Sequence, residues 1–304
     1  MAGVSLRRAF ASGFLLIGRR PLTVFAWGAV LLLFVQAPML FLLSRYAPDF
    51  LSILSRFGST TPQAMNEFNL DLQQRMIPLQ AMTLPTYIVH VVIVAAVYRA
   101  VLEPSRDAFA SLRIGRQEGW LLLLTFAFMA LVYLALIPLY LVIIGGVLGA
   151  VFLVSPFNLI GPVVIAVALL AAIWAVARLG MAAPMTFSDR RFRLFESWSA
   201  TRGQGLRLVG LGLLIFLFSL VVELVLVGLV LAAVLAIVGH WPTSAHQVGV
   251  WLVALRDLDL RQAAVWLVPL AVAAAAIYGS TSAIVIAPWA SFYQQLNAHP
   301  NAGA

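Results

Sequence analysis

Glu223 is the only acidic residue inside an apolar run, near the middle of LIFLFSLVVELVLVGLVLAAV. A carboxylate at bilayer depth costs about 2.5 kcal/mol or more, so it is expected to face other helices and to find a partner there. His90, in TYIVHVVIVAAV, and Gln36 fall at comparable depth in two earlier runs. Together the three would form an intramembrane polar cluster in which Glu223 takes and releases a proton. The plainer alternative is a Glu223 that only makes a structural hydrogen bond between helices.

The second group with chemical potential is basic. Arg99 and Arg178 each stand about one and a half turns before a proline, Pro104 and Pro184, and Arg190, Arg191 and Arg193 follow closely on the second. Guanidinium groups present a planar fork that fits phosphate oxygens, so these five residues, helped by Tyr98, are candidates for a lipid-phosphate site. Against that stands simple snorkelling to the membrane interface and, for Arg99, an i,i+4 pair with Glu103.

Other chemistry is poorly supplied. The absence of Cys removes disulfides and thiolate catalysis, and His240 and His246 have no acids at metal-ligand spacing, so no metal or cofactor is expected. Ser219, Ser280, Thr281 and Ser282 lack a His–Asp arrangement and read as hydroxyls bonded back to their own helix. Gly145-Gly146 with Gly149 reads as close helix packing, because no Lys follows to make a phosphate loop. An enzyme is therefore not expected.

These residues must be positioned by an unusually apolar chain. Of 304 residues 63% are hydrophobic and 10% charged, and the mean hydropathy is +1.01. Soluble domains carry about a quarter charged residues, so the composition predicts a polytopic membrane protein in one membrane domain, 1–304, of the all-α class. Six apolar runs, 22–44, 79–102, 119–154, 157–183, 206–239 and 263–287, each exceed the ~20 residues of a spanning helix. The third and fifth are long enough to require tilt, protrusion or a break, at Pro138 or Gly145-Gly146 in the third. Run 22–44 is too long for the core of a cleavable signal peptide, so it is expected to stay in the membrane.

The net charge of +8 comes from Arg alone, since Lys is absent. Fourteen of the 19 Arg lie before the first run, between the second and third, and between the fourth and fifth; five lie in the alternate segments. The bias predicts N-in, C-in topology in an inner membrane and contact with anionic head groups, not nucleic acid. Trp120, Trp241, Trp266 and Trp289, near run ends, fit interfacial anchors. The external segments 45–78 and 240–262 contain amphipathic stretches expected as short helices that lie on the outer leaflet or cap the bundle, with a substrate lid as the alternative.

The basic junctions recur. Ser5 to Gly18-Arg19, Ser105 to Gly115-Arg116 and Ser188 to Gly203 each place an amphipathic segment after a candidate Ser cap, with glycines after Ile17 and Ile114 as stops. Runs two, four and six end in Pro104, Pro184 and Pro288, where a helix is expected to stop and turn along the surface. Three pseudo-repeated hairpins with amphipathic cytoplasmic surface helices follow from this spacing.

At RLGMAAPMTFSDRRFRLFESWSATRGQGLRLVG, and at YRAVLEP followed by LRIG, the chain resembles the membrane domain associated with some bacterial glycerophosphodiester phosphodiesterases and related uncharacterised six-helix bacterial membrane proteins. The resemblance implies a six-helix inner-membrane domain; the phosphodiester chemistry belongs to a separate soluble domain with no counterpart in these residues. The expected role is a non-enzymatic membrane scaffold or accessory subunit engaging anionic lipid and another membrane protein. The alternative is a small transporter or lipid-handling permease with a polar site around Glu223.

Overall fold

The structure is a computed structural model and describes residues 5–42, 45–46, 62–104, 109–152, 160–238, 247 and 260–298. Among the described residues every element is helical. Six helices are long and apolar enough to cross a membrane: Pro21–Leu42, Leu72–Leu102, Arg116–Gly145, Val163–Asp189, Gly205–Leu229 and Leu267–Ala298. They correspond in order to the six apolar runs.

The chain divides into two compact units. The first comprises Met1–Arg19, Val91–Phe218 and Ala283–Ala304. It begins with α1 (Leu6–Arg19), whose start is capped as the sequence predicts: the Arg8 amide donates to Ser5 Oγ at 3.3 Å. α1 buries Ala9, Gly13 and Leu16, spaced so that they share one face, and leaves Arg7, Arg8 and Arg19 exposed. Gly18 lies inside α1 and does not end it.

α4 (Thr83–Leu102) stops before Pro104, as expected, and the chain resumes in a 3₁₀ turn at Phe109–Ser111. Over 109–115 the expected surface α-helix does not form: Ala110 and Ser111 both have positive φ, 52° and 54°, which breaks any helical ladder there. Ser105 lies outside the described residues. α5 (Arg116–Phe152) then runs unbroken through Pro138 and Gly145, so the long third run is one long helix. Gly145 faces open space, contrary to the close packing expected of it.

α6 (Ile160–Leu179) is followed by α7 (Ala182–Asp189), α8 (Glu196–Ala200) and α9 (Gly205–Val238). Pro184 does not end a helix; the break falls at Gly180–Met181, and Pro184 sits in the first turn of α7, where its missing N–H has no intrahelical partner to lose. Ser188 is correspondingly inside α7 and not a cap. α10 (Leu260–Ala298) also corrects the proline reading, since it continues past Pro288 for ten residues. Pro288 itself is fully buried between the buried Ala287 and Ala290, and this packing offsets one missing ladder bond.

Two apolar clusters fill this unit. In one, Ala9, Met181, Met185, Leu208, Leu211 and Phe292 meet; in the other, Tyr98, Leu121, Leu124, Phe187, Leu194 and Ala290. The end of α10 is tied in by side-chain amides. Ser5 donates its amide to Gln295 Oε1 at 2.8 Å, and Gln294 Nε2 donates to the Val101 carbonyl at 3.0 Å.

The second unit comprises Arg20–His90 and Ser219–Ser282. α2 (Pro21–Leu31) opens on a proline and passes into a π-helical turn, Leu32–Gln36. α3 (Pro62–Ala81) contains the stretch expected as a short external helix, and it leads through Met82 into α4. The corresponding stretch in 240–262 lies almost wholly outside the described residues. α2 and α10 cross with their backbones in contact: a Cβ added to Gly28 would run into the Ala275 carbonyl, and one added to Gly279 into the Val24 carbonyl. Trp27, beside this crossing in sequence, is fully buried.

Candidate functional site

The sequence-predicted residues separate into three groups. Arg99, at the end of α4, is 3% exposed and so does not snorkel. Its ion-pair partner is Glu118, not the Glu103 expected from i,i+4 spacing. Glu118 is itself buried in the first turn of α5, where the helix dipole favours a carboxylate. A second Arg99 nitrogen donates to the carbonyl of Ser111, and the guanidinium lies 5.7 Å from the Phe187 ring. Arg99 thus holds the strained Ala110–Ser111 turn and the start of α5 in one grip. Tyr98 is buried against Phe187, ring centroids 5.8 Å apart, and has no place in a phosphate site.

Arg178 is held in the same way by different groups. Its Nε donates to Thr201 Oγ1 at 3.1 Å and its Nη2 to the Trp198 carbonyl. The guanidinium stands 4.1 Å from the Trp198 ring and 4.9 Å from the Trp174 ring, a geometry in which cation–π attraction contributes about 1–2 kcal/mol when desolvated. Gly205 makes room for this cage, because a Cβ there would stand 2.6 Å from Trp174 Nε1. Gly203, at φ 77°, supplies the left-handed step into α9. Both buried arginines therefore fasten a connection to the helix before it.

The exposed arginines surround two cavities. One, of about 320 Å³, is lined by Arg99, Arg113, Gly115, Arg116, Glu118 and Arg190, among others. Arg190 stands 3.7 Å from Glu103, and the described residues give Arg113 and Arg116 no carboxylate partner. The two walls are joined where Gln117 Nε2 donates to the Phe187 carbonyl at 3.2 Å. The other cavity, of about 520 Å³, has Met181, Met185 and Leu296 beside Arg193, Arg202 and Asn297. Arg193 is committed to Asp189 at 3.0 Å and Glu196 at 3.6 Å, and Tyr293 donates to Asp189 at 3.4 Å. Arg191 is exposed and lines neither cavity. Arg113 and Arg116 count in the sequence only toward the sidedness of charge, although LRIGR places them one turn apart around the start of α5.

The intramembrane cluster is not assembled. Glu223 is exposed on α9, contrary to the expectation that it faces the interior. The buried stripe of α9 runs through Leu208, Leu211, Ile215 and Leu226, and at 100° per residue Glu223 lies roughly 80° off it. Among the described residues no hydrogen bond or ion pair joins Glu223 to His90 or Gln36. His90 is exposed and donates Nδ1–H to the Thr86 carbonyl at 2.8 Å, while Gln36 is half-buried at the end of the π-helical turn. Ser282 does bond back to its own helix, to the Tyr278 carbonyl at 2.8 Å.

Among the described residues no group of three His, Cys, Asp or Glu side chains could hold a metal. His240 and His246 lie outside them. No protein-family model, no curated protein and no solved structure matches this chain.

Proposed function

We propose that this is a non-enzymatic scaffold or accessory subunit of a bacterial inner membrane, seated with its first unit against the anionic head groups of the cytoplasmic leaflet. The observation that carries this reading is the partition of charge. The first unit holds thirteen of the 19 Arg and five of the 11 acids, the second six of each, so the whole net charge of +8 belongs to the first. Within it Arg7, Arg8, Arg113, Arg116, Arg191 and Arg202 are all exposed. Basic residues near a membrane surface are each worth about 1 kcal/mol against anionic lipid. In this reading both termini are cytoplasmic and α1 is a surface helix. The like roles of Arg99 and Arg178, each gripping a carbonyl of the following junction, support two copies of the hairpin repeat. Ala283, buried against α1 at Gly13, takes that place before Pro288.

Because the chain has no Cys, one introduced thiol is unique. Asn66→Cys in α3, exposed and ahead of the span that starts at Leu72, should react with a membrane-impermeant maleimide in intact cells, and Arg191→Cys only after the membrane is opened. The reverse pattern would overturn the orientation and the lipid surface with it.

A further inference from the structure

We infer that the cavity between α7 and the start of α5 binds a phosphate monoester dianion, carried either by a lipid head group or by a soluble molecule. This deepens the anionic-surface reading and rests on it. Four guanidinium groups line the cavity, those of Arg99, Arg113, Arg116 and Arg190, against one carboxylate, Glu118. That carboxylate is already held by Arg99, and Glu103 pairs with Arg190 at 3.7 Å, which leaves Arg113 and Arg116 to face a ligand, with Arg190 beside them. Two unneutralised forks and a third shared with Glu103, in about 320 Å³, suit a small anion of charge near −2, which a phosphate monoester carries at neutral pH and a phosphodiester does not. The neighbouring cavity lacks this excess, since the two acids paired with Arg193, Asp189 and Glu196, equal its two arginines, Arg193 and Arg202, in number.

A second observation points to the same place. Arg190 ends α7 in the left-handed conformation, φ 54° and ψ 31°, where glycine is the ordinary choice and a side chain carries a steric cost. The chain keeps a guanidinium there nonetheless, and that guanidinium lines the cavity. The walls are rigid enough to form a site: buried Arg99 fixes one and the Gln117–Phe187 bond joins it to the other. Ile114, 88% exposed at the rim, gives the cavity an apolar lip of the kind a lipid-borne head group would meet.

The test uses the full chain in nanodiscs of zwitterionic lipid doped with phosphatidic acid, a monoester, or with phosphatidylglycerol, a diester. Lipid carried through purification is read by native mass spectrometry. Wild type should retain phosphatidic acid at least tenfold over phosphatidylglycerol. Arg113→Gln with Arg116→Gln should abolish the preference. Arg190→Gly should lose it too while melting no lower than wild type, because the backbone is relieved, which separates ligand loss from misfolding. Displacement of the lipid by millimolar glycerol phosphate would assign the site to a soluble monoester; resistance to it would assign it to the lipid. Equal retention of both anionic lipids, above the zwitterionic one, would overturn the monoester site and leave the anionic-surface reading standing. Retention of neither would overturn both, and an unchanged preference in all the variants would place the ligand elsewhere.

Discussion

In the unit formed by 1–19, 91–218 and 283–304, buried guanidinium groups close the connections between helices: Arg99 grips Ser111 and Glu118, and Arg178 grips Thr201 and Trp198. In the unit formed by 20–90 and 219–282, two of the described helices meet backbone on backbone, at Gly28 and Gly279. The first method needs charge and polar acceptors in the interior. The second needs only the absence of side chains. A chain with few charges concentrates its positive excess where it has connections to fasten and, in our reading, a charged surface to meet.

Breaking the first method should give the largest effect. Glu118→Gln strands the buried Arg99, and unpairing a buried ion costs about 3–5 kcal/mol. Equilibrium unfolding in detergent should show this, with little dependence on salt because the pair is buried. A loss below 1 kcal/mol would mean that Ser111 and Phe187 satisfy Arg99 alone. Next comes the backbone crossing. Gly279→Val should cost about 3 kcal/mol through overpacking, whereas Gly145→Ala, in open space within α5, should stabilise by about 0.5–1 kcal/mol. Equal responses at the two glycines would erase the contrast between the units.

The tryptophan cage tests whether charge alone suffices in the first unit. Arg178→Lys keeps the charge but loses the planar stack and the fork, for about 1–2 kcal/mol, with a shift in Trp fluorescence. An unshifted spectrum would mean that the rings do not report the guanidinium. The smallest effect belongs to the exposed pairs: Arg193→Gln should change stability by at most about 1 kcal/mol, and less in high salt.

How far the sequence could be read depended on the reach of each interaction. Apolar runs and the Ser5 cap are local patterns, and the six spanning helices follow from them directly. The partner of Arg99 was hidden because Glu118 is 19 residues away and meets it only once the Ala110–Ser111 turn folds back. Glu223 was misplaced because depth in a run says nothing about which side of the helix is covered. Pro288 was misread for a related reason: burial can offset a missing bond, and burial is tertiary. Gly28 and Gly279 gave no signal at all, since small residues are frequent here and the two lie at opposite ends of the chain.

That crossing also limits how the second unit can move. With main chain against main chain and no side chain between to repack, α2 and α10 cannot slide past each other by fractions of a residue. They can swivel about the contact or separate, but not shear. Any motion of α2 against α10 would therefore be a rotation about Gly28 and Gly279, and a cross-link there should leave it unhindered while links farther along the two helices would stop it.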